Sequence, residues 1–117
     1  MADIRPFPGV RYDTTKAGPL AQLVCPPYDV INPPERDALY ARSPYNIVRI
    51  ESGVDRPDDT PESDRYTRAR ADFDAWLGAG VLQRDARPAL YLTHHEFTHR
   101  GARYLRRALM AAVRLEE

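Results

Sequence analysis

Proline placement constrains this chain more than any other feature. Ten of its eleven prolines lie within residues 1–61, and the remaining one is Pro88. Each proline removes a backbone donor and pushes the residue before it out of the helical region. The first half must therefore be loop-rich, with short elements, while the second half is free to build longer ones. "RPFPGVRYD" reads as an extended arm, and "VCPPYDVINPP" as a second extended stretch. Asn32 can cap a helix starting at Pro33 or Pro34, where a missing N–H costs nothing, and Pro44 ends it. "YNIVRIE" (45–51) alternates β-branched residues and predicts a strand, with Asn46 as the polar residue at its start. Thr60 is placed to cap a helix over 61–80, with Pro61 at its first position and Glu62 and Asp64 in its first turn. Tyr66, Ala69, Phe73, Trp76 and Leu77 give that helix an apolar face, and Gly78 and Gly80 stop it. Two apolar runs follow, meeting at Gly101, and predict a hairpin over 89–115.

These elements define an α+β class: a small, mixed, incomplete sheet with two helices and a C-terminal β-hairpin. A chain of 117 residues suffices for one modest core. Seventeen basic and seventeen acidic residues cancel, so there is no general basic field for nucleic acid. The N-terminus lacks the basic-then-apolar pattern of a secretory signal, and no apolar run approaches a membrane span. With the single cysteine Cys25, these features make a cytoplasmic protein without membrane partners the expectation.

His95-Glu96-Phe97-Thr98-His99 spells H-E-x-x-H, a zinc-hydrolase signature that requires a helix so that both imidazoles reach one metal. The flanking residues favour a strand. At about 3.3 Å per residue, positions four apart are then roughly 13 Å apart, far beyond two bonds of about 2 Å to a shared zinc. A zinc hydrolase is therefore the weakest reading, and no metal site is assigned. "CPPYDV" holds Tyr28 and Asp29 on a proline-stiffened loop, either as a binding loop or as a structural turn. Glu35 and Asp37 fall in the first turn of the Asn32-capped helix, where favourable interaction with the helix dipole is the plainer role. Arg103, Arg106 and Arg107 could receive phosphate, but a strand sends Arg106 to the face opposite the other two.

"IRPFPGVRYD", "VCPPYDVI", "SPYNIVRIE", "PALYLTHHEF" and "YLRRALMAAVRLEE", in that order, resemble the opening of the domain-of-unknown-function family DUF1015. The pairing of "PPYDVI" with "SPYNIVRIE" is the most specific piece. Full members continue into an Asp-Gly-His-His-Arg motif that resembles the phosphate-handling motif of ParB-like and sulfiredoxin-like proteins, a group that includes kinases of free serine. That motif is absent here, and Ala108 stands where the family usually has Gly. The chain is therefore expected to be an N-terminal portion, inactive alone. The resemblance implies a nucleotide-dependent small-molecule phosphotransferase using ATP or ADP with Mg when full length. It would place Glu35 and Asp29 in catalysis, with Glu35 as general base, and Tyr28, Asn46 and Arg107 at the substrate. The alternative is a non-enzymatic interaction module that self-associates through an exposed, Arg-rich hairpin.

Overall fold

A computed structural model of the chain describes residues 1–115. Its elements in chain order are β1 (Ile4–Arg5), β2 (Val10–Tyr12), α1 (Thr14–Ala17), α2 (Leu20–Leu23), a 3₁₀ turn (Tyr28–Val30), α3 (Pro33–Arg42), α4 (Val48–Glu51), α5 (Arg65–Gly78), β3 (Leu82–Arg84), β4 (Tyr91–His99), β5 (Ala102–Met110) and β6 (Ala112–Val113). The α+β class holds. The strands form three antiparallel pairs, β1–β6, β2–β3 and β4–β5, and the two helices longer than a single turn are α3 and α5. Among the described residues no helix is long and apolar enough to cross a membrane. The chain divides into two compact units, one from Arg11 to Gln83 and one combining Met1–Val10 with the chain from Arg84 onward.

Within Arg11–Gln83 the core comprises Ala17, Leu23, Leu39, Val48, Trp76, Val81 and Leu82. Burying a side chain the size of Leu23 or Val48 stabilises a fold by about 1.5–3 kcal/mol. The Trp76 ring meets Tyr45 edge-on at 5.8 Å and lies tilted against Tyr12 at 6.3 Å, both favoured aromatic geometries. The Tyr12 hydroxyl donates to the Tyr45 carbonyl (2.6 Å). Burial, with a smaller contribution from Cys25, pushes the phenol up to about 12.

Helix α3 begins as the residues predict. The Asn32 side chain accepts from the Glu35 N–H (2.9 Å), and the Glu35 carboxylate accepts from the Asn32 N–H (3.2 Å). This reciprocal capping box satisfies donors that the helix itself leaves unpaired. Helix α5 starts later than expected. Thr60 and Ser63 exchange both backbone hydrogen bonds at 3.1 Å, which fixes 60–63 as a turn. Asp64 takes the cap in place of Thr60, accepting from Tyr66 and Thr67 at 2.9 Å each.

The expected strand over 45–51 is instead the single-turn helix α4. Asn46 explains the change. It is fully buried, and its amide nitrogen donates to the carbonyls of Gln22 (2.8 Å) and Val24 (3.0 Å). Its amide oxygen accepts from Val48 N–H (3.0 Å), and Ile47 N–H donates to the Leu23 carbonyl (2.8 Å). These bonds stitch 46–48 to 22–24 in a helical turn that seals Val48 in the core, so packing overrides the β-branched preference.

In the other unit, β1 pairs with β6, and Phe7 exchanges backbone hydrogen bonds with Ala89. The Tyr91 hydroxyl donates to Asp85 Oδ2 (2.5 Å) and accepts from Gly9 N–H (2.6 Å). A Cβ on Gly9 would lie 2.6 Å from that hydroxyl, so the approach requires glycine. Strands β4 and β5 form the expected hairpin. Its two-residue loop, Arg100-Gly101, has φ values of 49° and 78°, the doubly left-handed turn whose twist suits a hairpin.

Candidate functional site

The proline pair Pro26-Pro27 leads directly into the 3₁₀ turn, closed by Val30 N–H donating to the Pro27 carbonyl (3.1 Å). Tyr28 therefore points outward, 68% exposed, rather than into the core. It lines a recess of about 330 Å³ with Ile50, Glu51, Ser52, Gly53, Arg65 and Tyr66. The volume lies at the small end of ordinary ligand pockets. Two phenols, a hydroxyl, a carboxylate and a guanidinium converge there, supplied by the 3₁₀ turn, the end of α4 and the first turn of α5. Gly53 lets the segment after α4 lie against α5: a Cβ there would stand 3.2 Å from the Arg65 Cβ and 3.4 Å from its carbonyl.

A second recess of about 460 Å³ shares Gly53 and Arg65 with the first. Arg49, Arg56, Arg65 and Arg68 line it, together with Tyr40 and Asp72. Arg68 holds Asp59 in a two-pronged pair (2.6 and 3.0 Å) and donates to the Val54 carbonyl (2.7 Å), pinning the 54–59 loop. The hydrogen bond from Arg68, then that from Arg56 N–H, lowers the Asp59 carboxyl to about 2. Arg65 donates to the Tyr66 hydroxyl (2.8 Å) and lies 3.5 Å from Asp55. Arg49 stacks over the Tyr40 ring at 4.3 Å and donates to the Tyr40 carbonyl (3.1 Å). Cys25 is half-buried. Burial first, and the charge of Glu51 second, push its thiol up, which disfavours the nucleophilic thiolate.

Of the residues expected at a site, Tyr28 lines a recess and Asp29 follows it on the same exposed turn. Asn46 is a buried strut whose amide serves three backbone groups, so a substrate-binding role is replaced by an architectural one. Glu35 closes the α3 capping box and lines neither of the two recesses. Arg107 sits on β5 opposite His94, in the hairpin of the other unit. His95 and His99 lie on strand β4, not on the helix that a zinc signature requires. Among the described residues no group of three or more His, Cys, Asp or Glu side chains is gathered for a metal ion. The residues that sequence reasoning passed over are Glu51, Ser52, Arg49, Arg56, Arg65 and Arg68. Arg65 and Arg68 carried a usable signal, because positions three apart on a helix share a face.

The fold and the two recesses define a small α+β domain with a polar, arginine-bordered cleft. The family model for DUF1015, described as a protein of unknown function, matches residues 4–117, and the chain belongs to that family. No curated protein and no solved structure matches the chain.

Proposed function

We propose that the chain is the N-terminal portion of a small-molecule phosphotransferase that uses ATP or ADP with Mg and acts on free serine or a similarly small hydroxy amino acid. The observation that carries this reading is the recess at Tyr28, where Glu51, Ser52, Arg65 and Tyr66 meet at a volume suited to a small polar molecule. The nucleotide and the reaction come from the family's likeness to phosphate-handling relatives. Within the recess Glu51, rather than Glu35, serves as general base for the substrate hydroxyl, because its carboxylate lines the space while that of Glu35 is held in a cap. Arg65, which donates to the Tyr66 hydroxyl and lies 3.5 Å from Asp55, adds positive charge beside a carboxylate or a transferred phosphoryl group. Isothermal titration of the full-length parent with ATP, ADP and serine tests the reading. Heat that saturates with a nucleotide and with serine supports it, and no heat with any of them sinks it.

A second reading has its own observation. One face of the hairpin carries Leu92, Leu105 and Leu109, which are 66%, 46% and 57% exposed. Apolar side chains grouped this way on an unpaired sheet suit docking on another protein surface or on a second copy. Size-exclusion chromatography over a concentration series decides for or against self-association: a dimer that dissociates on dilution supports it, and a monomer throughout removes it.

A further inference from the structure

We infer that the recess bordered by Arg49, Arg56, Arg65 and Arg68, which adjoins the Tyr28 recess and shares Gly53 and Arg65 with it, is a binding site for a small phosphate-bearing anion. Four guanidinium groups line this one space, against the single carboxylate of Asp72. Two of the four are already matched within the protein. Arg68 is neutralised by Asp59 in a bidentate pair, and Arg65 faces Asp55 at 3.5 Å. That leaves Arg49 and Arg56 as lining guanidiniums, with Asp72 the one carboxylate among the lining residues. Arg49 gives one hydrogen bond to a backbone carbonyl, and among the described residues its buried Nε has no acceptor at all. Arg56 is exposed, and its charge adds a minor part to the lowering of the Asp59 carboxyl.

Guanidinium donors that line a recess and lack a partner within the protein gain hydrogen bonds from a bound oxyanion. The wall around it is preorganised. The Arg68–Asp59 pair and the Arg56 N–H to Asp59 Oδ2 bond (2.9 Å) fix the loop that carries Arg56. Stacking on Tyr40 fixes the Arg49 plane. Planar forks with several donors suit phosphate oxygens better than halide ions or single-point acceptors. A recess of about 460 Å³ admits a phosphate group with a small organic substituent.

The test is a titration of the full chain with inorganic phosphate, followed through the side-chain Nε–H signals of its arginines by ¹⁵N-resolved NMR. A parallel titration uses sodium chloride at matched ionic strength, because bare screening also moves arginine signals. Saturable movement of the Arg49 and Arg56 signals with phosphate but not chloride is the expected result. Arg56→Ala weakens phosphate binding by about tenfold or more, while its thermal midpoint stays near that of the parent. Arg49→Lys keeps the charge, loses the fork, and weakens binding as well. A third arm with ADP separates sources: tighter binding than phosphate assigns the site to a nucleotide, and equal binding assigns it to phosphate itself. The inference is overturned if chloride moves the same signals equally, or if Arg56→Ala binds phosphate as tightly as the parent. A phosphate response without heat from nucleotide or serine in the full-length parent would remove the phosphotransferase reading and leave this site standing.

Discussion

Asn46 does the most with the fewest atoms. Its amide satisfies two carbonyls and one N–H from two segments more than twenty residues apart, all in a fully buried position. Removing it leaves those groups unpaired, at about 1–3 kcal/mol for a buried orphan. Asn46→Ala should therefore lower the unfolding free energy by about 2–4 kcal/mol, and Asn46→Asp by more, since a carboxylate would face two carbonyl oxygens. Urea unfolding with unchanged slope checks this. Glu51 makes the complementary case, a residue whose replacement should spare stability and remove chemistry. If it is the general base, Glu51→Gln lowers turnover by about 10²–10⁴-fold with little change in substrate affinity. Asp59 adds a pH signature. Its folded carboxyl sits at about 2, below the ordinary 3.8, so the stabilisation is present above the ordinary value and is lost as pH falls through about 2. A ¹³C carboxyl titration should find it there, and Arg68→Ala should return it toward the ordinary range.

Where an element is specified by its own neighbours in sequence, it could be read directly; where a distant partner decides, it could not. Helix α3 is of the first kind, because Asn32, two prolines and Glu35 write both halves of a capping box within four residues. Asn32→Ala should lower stability by about 1 kcal/mol in thermal or urea unfolding, and an effect near zero would mean the cap contributes nothing. The hairpin is also local, since Arg100-Gly101 supplies the turn its register requires. The body of α5 was legible from its apolar spacing, but its start was not. Thr60-Pro61 and Asp64 offer equally good caps on paper, and only the Thr60–Ser63 turn decides between them. Segment 45–51 is of the second kind. Ile47, Val48 and Ile50 carry strand preference, yet hydrogen bonds to residues 22–24 impose a helical turn. The recesses share that dependence on tertiary structure. Tyr28 was found because prolines stiffen its loop, whereas Arg49 and Arg56 come together with α5 only through folding.

Across the whole molecule, stability should be unevenly distributed. Every buried apolar side chain among the described residues lies between Ala17 and Leu82, inside the Arg11–Gln83 unit. The hairpin has none: β5 is exposed along its full length, and β4 is exposed except at Tyr91 and Thr93. A two-stranded hairpin without an apolar layer against it is marginal in water, and the cross-strand ion pair Arg103–Glu96 at 3.2 Å is exposed and correspondingly weak. Local opening should therefore occur there first. Limited trypsin digestion should cut after Arg100 and Arg103, and next after Arg106 and Arg107, well before Arg49 or Arg68, which pack within the other unit. Mass spectrometry of the early fragments reads this order. The concentration dependence adds a further discrimination. If a second copy covers the leucine face, raising the protein concentration slows cleavage at Arg107, whose side chain shares that face, while the loop at Arg100 stays open. Equal rates at all concentrations would mean that the face stays uncovered, and early cleavage at Arg49 or Arg68 would mean that the Arg11–Gln83 core is not the stable unit.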